Sequence, residues 1–304
     1  MSAPETSPPT GLAIAPPLPD LFPVVNAHRG LIGLARLYPT ATFGGVLLIL
    51  LFLLAVFAPY VGTVDPTALA PARRMRPPSV QFWFGSDMLG RDLYSRVIYG
   101  ARVSLFVGFS VATLASGIGL VIGLVGGFVR RADAVLMRVM DGLMSIPPIL
   151  LAVALMALTR GSVGNVIVAI TVAEIPRVAR LVRGVVLTLR EQAFVDAAVA
   201  AGTRTPMILW RHILPNTLAP LMVQATYICA SAMITEAILS FIGAGTPPSI
   251  PSWGNIMAEG RALWQVKPFL VFFAAAFLSV TVLAVNLLGD GMRDALDPRM
   301  AKRV

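Results

Sequence analysis

The sequence predicts an all-α integral membrane protein with six transmembrane helices, and three observations lead to this prediction. Of the 304 residues, 57% are hydrophobic and only 13% are charged, and the mean hydropathy is +0.80, which is far from the balance of a soluble domain. Six segments approach the roughly 20 apolar residues that a helix needs to cross the hydrocarbon core. Arginines and lysines gather in the short loops between alternate segments, as they do on the cytoplasmic side of membrane proteins.

The six predicted spans differ in how clearly they are marked. They are residues 43–62, 103–129, 140–158, 163–186, 217–243 and 268–289. The fourth is the weakest because its apolar part is short and runs into charged residues. It is counted because the fifth span must begin on the same side of the membrane as the arginines at the end of the fourth. We expect Pro147-Pro148 and Pro176 to kink the third and fourth spans. Gly119 and Gly123 form a small-xxx-small face that predicts close packing of the second span.

Charge in the loops predicts that both termini are cytoplasmic. The predicted organisation is a flexible cytoplasmic tail (1–40), a first span (41–63), an external loop with a short amphipathic helix (64–102), a core of five spans (103–290) and a cytoplasmic tail (291–304). The external loop disagrees with the charge rule. It holds Arg73, Arg74, Arg76, Arg91, Arg96 and Arg102 against Asp65, Asp87 and Asp92. Three short basic loops outweigh this one long loop, so the topology is kept.

No catalytic or nucleotide-binding motif is found in the sequence. A phosphate-binding loop of the form GxxxxGK[ST] needs a Gly-Lys step, whereas Lys267 follows valine and Lys302 follows alanine. His28 and His212 are far apart, and neither has a neighbour at metal-ligand spacing. Basic stretches lack the interleaved aromatics of a nucleic-acid module. We therefore expect no enzyme activity, no cofactor or metal in this chain, and no nucleic-acid partner.

Three carboxylates lie in or near the predicted spans: Asp141, Glu174 and Glu236. For Asp141 and Glu174, nearby arginines favour structural ion pairs over a proton or cation relay. Glu236 has no basic neighbour in sequence, which leaves interhelical hydrogen bonding and a role in a transport pathway equally open. An ion-coupled secondary transporter that uses Glu236 and Glu174 is the alternative function, and a structural membrane subunit without a pathway is a third.

Residues 190–216 predict two short helices joined by a fixed bend. The first runs from about Glu191 to Ala201 and stops at Gly202, because glycine adopts the left-handed conformation that ends helices. The second has Thr205 as N-cap and ends near Pro215. Phe194, Ala198 and Ala201 share a face of the first helix. Such a slim helix fits a groove on a partner protein, or it lies on the membrane surface.

The loop then resembles the EAA motif of bacterial ABC importer permeases. The matching residues are Asp196-Ala197-Ala198, Gly202, and His212-Ile213-Leu214-Pro215, with Asp in place of the usual Glu. Two further stretches resemble the dipeptide and oligopeptide branch of that family. They run from Phe84-Gly85-Ser86-Asp87 to Ser104-Leu105, and from Glu236-Ala237 to Ile242-Gly243 followed by Pro251-Ser252-Trp253-Gly254.

The resemblance implies a type I ABC importer permease fold in the bacterial inner membrane. It implies a C-type subunit that pairs with a B-type permease, two cytoplasmic ATPases that bind ATP and magnesium, an external binding protein and membrane lipid. The ATPase-coupling residues would be Arg190, Glu191, Phe194, Asp196, Ala197, Ala198, Gly202, His212, Leu214 and Pro215. Glu236 and Ser240 are the candidates for the translocation pathway. Trp253 and Trp264 are expected at the membrane interface.

Overall fold

The computed structural model describes Gly33 and residues 36–296, so most of the predicted N-terminal tail and the last eight residues lie outside the described part. Among the described residues the regular elements are helices. They are α1 (Pro39–Val56), α2 (Leu93–Phe128), α3 (Arg130–Met144), α4 (Pro148–Ala157), α5 (Val163–Arg190), α6 (Ala193–Ala200), α7 (Thr205–Ile208), α8 (Leu214–Phe241), α9 (Trp253–Gly260) and α10 (Phe269–Leu296). A π-helical turn, Leu209–Ile213, joins α7 to α8.

Four helical runs in the described chain are long and apolar enough to cross a membrane. They are α1, α2, the continuous run Thr205–Phe241, and α10, with a fifth if the bent pair α3–α4 forms one span. The 28-residue helix α5 carries four arginines and a glutamate, which makes it less apolar than these runs. The chain is therefore a multi-pass membrane protein, and the count of six stays a prediction.

The kink predicted at Pro147-Pro148 in the third span, 140–158, is confirmed, and it is a complete break between two helices. Helices α3 and α4 are bent by 85° relative to each other. Pro147 and Pro148 cause the break, because a proline has no N–H for the helical ladder and its ring clashes with the preceding turn. Pro148 instead starts α4, a position that tolerates proline.

Helices α2 and α5 form the centre of the fold and pack through glycines. A Cβ atom added at Gly119 would lie 2.5 Å from Val178 Cβ, and one added at Gly123 would lie 2.6 Å from Val182 Cβ. Gly127 approaches Val186 in the same way. The predicted close-packing face is thus confirmed, and it lies against α5.

The remaining long helices surround this pair. Gly108 of α2 lies against Cys229 and Met233 of α8, and α8 contacts α10 where Thr226 meets Gly289. Helix α1 packs against α10 through Gly44, and its other faces expose large apolar side chains such as Ile49 and Phe52. That surface suits contact with lipid.

The predicted external loop differs from its expected form. Helix α2 begins at Leu93, and the Asp92 carboxylate caps it by accepting a hydrogen bond from the Ser95 N–H. The short amphipathic helix expected in this loop is therefore the first part of a span. Trp253 is not an interface anchor as predicted, because it is fully buried and its Nε1 donates to Val97 O at 3.0 Å. Trp264 remains exposed.

Candidate functional site

The predicted coupling loop starts where α5 meets the end of α2. Arg190 Nη1 donates to Gly127 O at 3.0 Å, and the guanidinium lies 5.4 Å from the centre of the Phe128 ring. Gly127 is in the last turn of α2, where helix carbonyls lack partners of their own. Arg190 therefore fixes the base of the loop to the central helix pair.

The bend after α6 has the geometry predicted from Gly202. The Gly202 N–H donates to Val199 O at 2.9 Å and the Thr203 N–H donates to Ala198 O at 3.0 Å, which is the hydrogen-bond pattern of a Schellman motif. Gly202 has a φ angle of +76°, a conformation that favours glycine. The helix itself is shorter than expected, running from Ala193 to Ala200.

The second half of the loop differs from the prediction. Arg204, rather than Thr205, is the N-cap residue, and it makes no side-chain capping bond. The helix does not end near Pro215 but continues through the π turn into α8. The wider π spacing accommodates Pro215, which cannot donate to the preceding turn. The second half of the loop is therefore the base of a long helix.

One side of the coupling loop packs on the chain, and the other side is exposed and apolar. Val195, Ile208 and Ile213 are buried. The exposed large apolar side chains are Phe194, Val199, Met207 and Trp210, of which Trp210 is 72% exposed. The ring of Phe194 lies 6.2 Å from that of His212. A fixed loop thus presents an apolar surface without a partner inside the described chain.

The predicted coupling residues are distributed over this loop. Arg190, Glu191, Phe194, Asp196, Ala197, Gly202 and Pro215 are exposed, whereas Ala198, His212 and Leu214 are half-buried. Sequence reasoning missed Val199, Met207 and Trp210. The sequence contained a signal for them, because three large apolar residues in a loop outside the predicted spans indicate a candidate contact surface.

Ion pairs tie α3 to α5 beside the loop. Arg183 donates to both Asp133 oxygens, from Nε at 2.5 Å and from Nη2 at 2.7 Å. Arg180 Nη2 lies 2.6 Å from Asp141 Oδ1. The structural ion pair predicted for Asp141 is confirmed.

Glu174 and Glu236 occupy different environments in the core. Glu174 pairs with Arg177, with 3.1 Å between Nη1 and Oε2, so its predicted ion pair is also confirmed. Glu236 is fully buried, and Ser240 Oγ donates to its Oε1 at 2.9 Å. No ion pair of Glu236 is found among the described residues. Hydroxyl groups therefore make up its polar surroundings.

A polar network extends from Glu236 to α9. Thr246 Oγ1 lies 3.2 Å from Ser240 Oγ. Asn255 Nδ2 donates to Thr246 Oγ1 at 2.9 Å and to Pro247 O at 3.0 Å. This geometry gives Glu236 an interhelical hydrogen-bonding role, since the network joins α8, residues 242–252 and α9. A place for Glu236 and Ser240 in the translocation pathway stays a prediction.

We expect Glu236→Gln to retain folding and transport, because an amide still accepts from Ser240 and adds donors for the neighbouring hydroxyls. Glu236→Ala should lower stability by about 1–3 kcal/mol, since it leaves buried hydroxyls without a partner. Thermal unfolding in detergent and uptake in vesicles would measure both effects. Loss of transport in the folded Gln variant would instead support a titrating carboxylate.

A buried ion cluster lies in the segment with the unexplained arginines. Arg91 Nε and Arg96 Nη1 each lie 2.6 Å from Asp87 Oδ2, and Arg91 Nη2 lies 2.5 Å from Glu259 Oε2. Arg96 also contacts both Glu259 oxygens and is only 1% exposed. Arg102 caps α1 by donating to Ala55 O at 2.5 Å and to Val56 O at 2.9 Å. Three of the six arginines thus have partners inside the chain.

Comparison with known protein families shows the family of this chain. Residues 117–302 match the family model described as "Binding-protein-dependent transport system inner membrane component". The chain belongs to this family. It is therefore a permease of the ABC importer type, and its relatives are permease subunits rather than enzymes.

The relatives of this permease cover nearly its whole length. It is 51% identical over 282 residues to "Probable peptide ABC transporter permease protein y4tQ" of Sinorhizobium fredii, covering 92% of this chain and 96% of the relative. It is 38% identical to the dipeptide transport system permease protein DppC of Alkalihalophilus pseudofirmus, covering 94% of each chain. It is 37% identical to the oligopeptide transport system permease protein OppC of Bacillus subtilis, covering 86% of each.

A solved structure matches the fold of the permease. An inward-facing MetNI methionine ABC transporter aligns with a TM-score of 0.56 and 21% sequence identity, covering 66% of this chain and 96% of that chain. The type I ABC importer permease fold is thus the fold of this chain.

Proposed function

We propose that this permease is the C-type subunit of an ATP-driven importer of dipeptides or oligopeptides. It would form the translocation pathway with a B-type permease and receive substrate from an external binding protein. Peptide permease relatives at 37–51% identity support the substrate class. The single observation that carries the mechanism is the exposed apolar surface of the coupling loop on a fixed base.

The coupling loop has the properties of a docking element for an ATPase. Its bend is closed by hydrogen bonds of its own backbone, so docking would not have to order it. Trp210 and Met207 supply the kind of large side chains that act as anchors at interfaces. Because the loop continues into α8, movement of a docked partner would reach the membrane-embedded helices.

Partners would supply the chemistry that this chain lacks. Two cytoplasmic ATPases would bind ATP and magnesium, and their closure would press on the loop. The permease itself would hold no cofactor. Both termini would lie in the cytoplasm of a bacterium, with the long segment before α2 outside.

Purification and transport assays test this proposal together. A C-terminally tagged permease, extracted gently from its native membrane, should bring a second permease and ATPases that mass spectrometry identifies. In proteoliposomes, uptake of labelled peptides should require ATP and survive collapse of ion gradients. Recovery of the chain alone, with uptake that follows an ion gradient, would support the alternative of ion-coupled transport through Glu236 and Glu174.

Replacement of Gly202 by valine should reduce ATP-driven uptake by about tenfold or more without loss of membrane insertion. A β-branched residue is strained at a φ angle of +76°, at a cost of about 1–3 kcal/mol, so the bend should change. Nothing in the described chain lies within 4 Å of an added Cβ, which leaves the core undisturbed. Uptake per inserted permease would be measured against immunoblot levels.

Gly202→Asn is the matched control, because asparagine tolerates the left-handed conformation. It should retain more uptake than the valine variant if the backbone bend is what matters. Normal uptake by the valine variant would contradict a fixed bend as the coupling element.

A further inference from the structure

Three arginines in the segment before α2 make no side-chain hydrogen bond or ion pair within the described part of the chain. They are Arg73, Arg74 and Arg76. The Arg73 guanidinium lies 5.8 Å from the centre of the Phe82 ring. All three are exposed. They are therefore neither part of the buried ion cluster nor caps of a helix.

The two acids of this segment outside the cluster do not neutralise these arginines. Thr67 donates to Asp65 Oδ1 from Oγ1 at 2.6 Å and from its N–H at 2.8 Å, and the hydroxyl bond is the main cause of a lowered pKa for Asp65. Ser95 donates to Asp92 Oδ2 from its N–H at 2.8 Å and from Oγ at 2.5 Å. An excess of positive charge therefore remains at the turn of residues 73–76, the basic turn.

Ser86 fixes the backbone of this basic turn. The Arg76 N–H donates to Ser86 Oγ at 2.9 Å, the Ser86 N–H donates to Arg76 O at 3.0 Å, and Ser86 Oγ donates to Arg73 O. Met75, between the arginines, has a φ angle of +51°, a strained conformation that the surrounding bonds must hold. Because the turn is held in place, binding a ligand would cost little ordering entropy.

The turn borders a cleft of about 650 Å³, within the usual range for small-ligand sites. Its lining combines Arg73 and Arg76 with Gln81, Phe82, Trp83 and Tyr94, and it also includes Asp92. The Asp92 Oδ2 atom already accepts two hydrogen bonds from Ser95. Trp83 is 58% exposed and its ring centre lies 4.8 Å from that of Tyr94. Gly62, six residues beyond the end of α1, is also part of the lining. The cleft thus lies close along the chain to a membrane boundary, where Trp and Tyr are enriched.

We propose that this cleft binds the phosphate ester of an anionic phospholipid headgroup in the leaflet where α1 ends. Arg73 and Arg76 contact the phosphate, because planar guanidinium groups match phosphate oxygens in a bidentate manner. The aromatic side of the cleft contacts the glycerol backbone. A free phosphate shares the charge but lacks this second contact.

Native mass spectrometry of the full-length permease in detergent, titrated with phosphatidylglycerol, tests this site. Arg73→Gln/Arg76→Gln should weaken binding of the lipid about tenfold or more. Arg131→Gln/Arg138→Gln removes the same charge from exposed positions of α3 and should leave that binding unchanged. Ser86→Ala retains every arginine but releases the turn, and it should weaken binding as well.

Four results would overturn the proposal. Unchanged phosphatidylglycerol binding in the Arg73/Arg76 variant would remove the site, and an equal loss in the α3 control would reduce it to general charge attraction. Equal binding of soluble glycerol phosphate would make it a site for free phosphate. If the Arg73/Arg76 variant keeps its lipid but loses a co-purifying external protein, the basic turn is a protein-docking surface instead.

Discussion

Replacing Gly123 with alanine is expected to destabilise the permease by about 1–3 kcal/mol, the usual cost of overpacking a dense core. The new Cβ would lie 2.6 Å from Val182 Cβ and 2.7 Å from Ala179 O. The second of these atoms belongs to the backbone of α5, so it cannot rotate away. Helices α2 and α5 would have to separate, and transport should fall with stability. Thermal unfolding of the detergent-solubilised protein would measure the change.

Gly117→Ala is the matched control for this prediction. It lies on the same helix, and nothing is within 4 Å of an added Cβ. Alanine should be neutral there or stabilising by up to about 1 kcal/mol, through its higher helix propensity. Equal effects at the two positions would show that contact with α5 is not the reason for glycine at 123.

Replacing Arg96 with glutamine is expected to cost about 3–5 kcal/mol, the range for breaking a buried ion pair on one side. Arg96 contacts both Asp87 and Glu259, and its loss leaves Arg91 alone against two carboxylates. We expect low accumulation in the membrane and a lowered unfolding temperature.

Removal of the second charge should reverse part of this effect. In Arg96→Gln/Glu259→Gln, the pair of Arg91 and Asp87 remains balanced, so the double variant should be more stable than Arg96→Gln alone. Arg160→Gln, at an exposed position, controls for the loss of one positive charge. Purely additive losses in the double-mutant cycle would contradict a shared ion cluster.

Local signals made part of this molecule predictable. Gly202 predicted the bend after α6 because helix termination depends on the conformation of one residue. Gly119 and Gly123 predicted close packing because spacing on one helix defines a face. The arginines near Glu174 predicted its pair with Arg177 in the same way, whereas Asp141 pairs with Arg180, which is 39 positions away.

Contacts between distant parts of the chain were not predictable from a single sequence. Arg96 and Glu259 are 163 positions apart. From the sequence, the excess of arginines before α2 therefore conflicted with the charge rule for membrane topology and did not indicate an ion cluster. Trp253 looked like an interface anchor because its acceptor, the carbonyl of Val97, lies 156 positions away. The position of Pro147-Pro148 predicted a kink, but a single sequence does not give the angle of the bend, which is 85°.

The continuity of α8 has a mechanical consequence. Its 28 residues, which include Pro220 inside the helix, span about 42 Å at roughly 1.5 Å per residue. If its base at the coupling loop tilts by about 5°, the opposite end moves by roughly 4 Å. That end carries Glu236 and Ser240, which are bonded through Thr246 to Asn255 of α9. A small rotation at the coupling loop would therefore move the other end of α8 by about the length of one residue of extended chain.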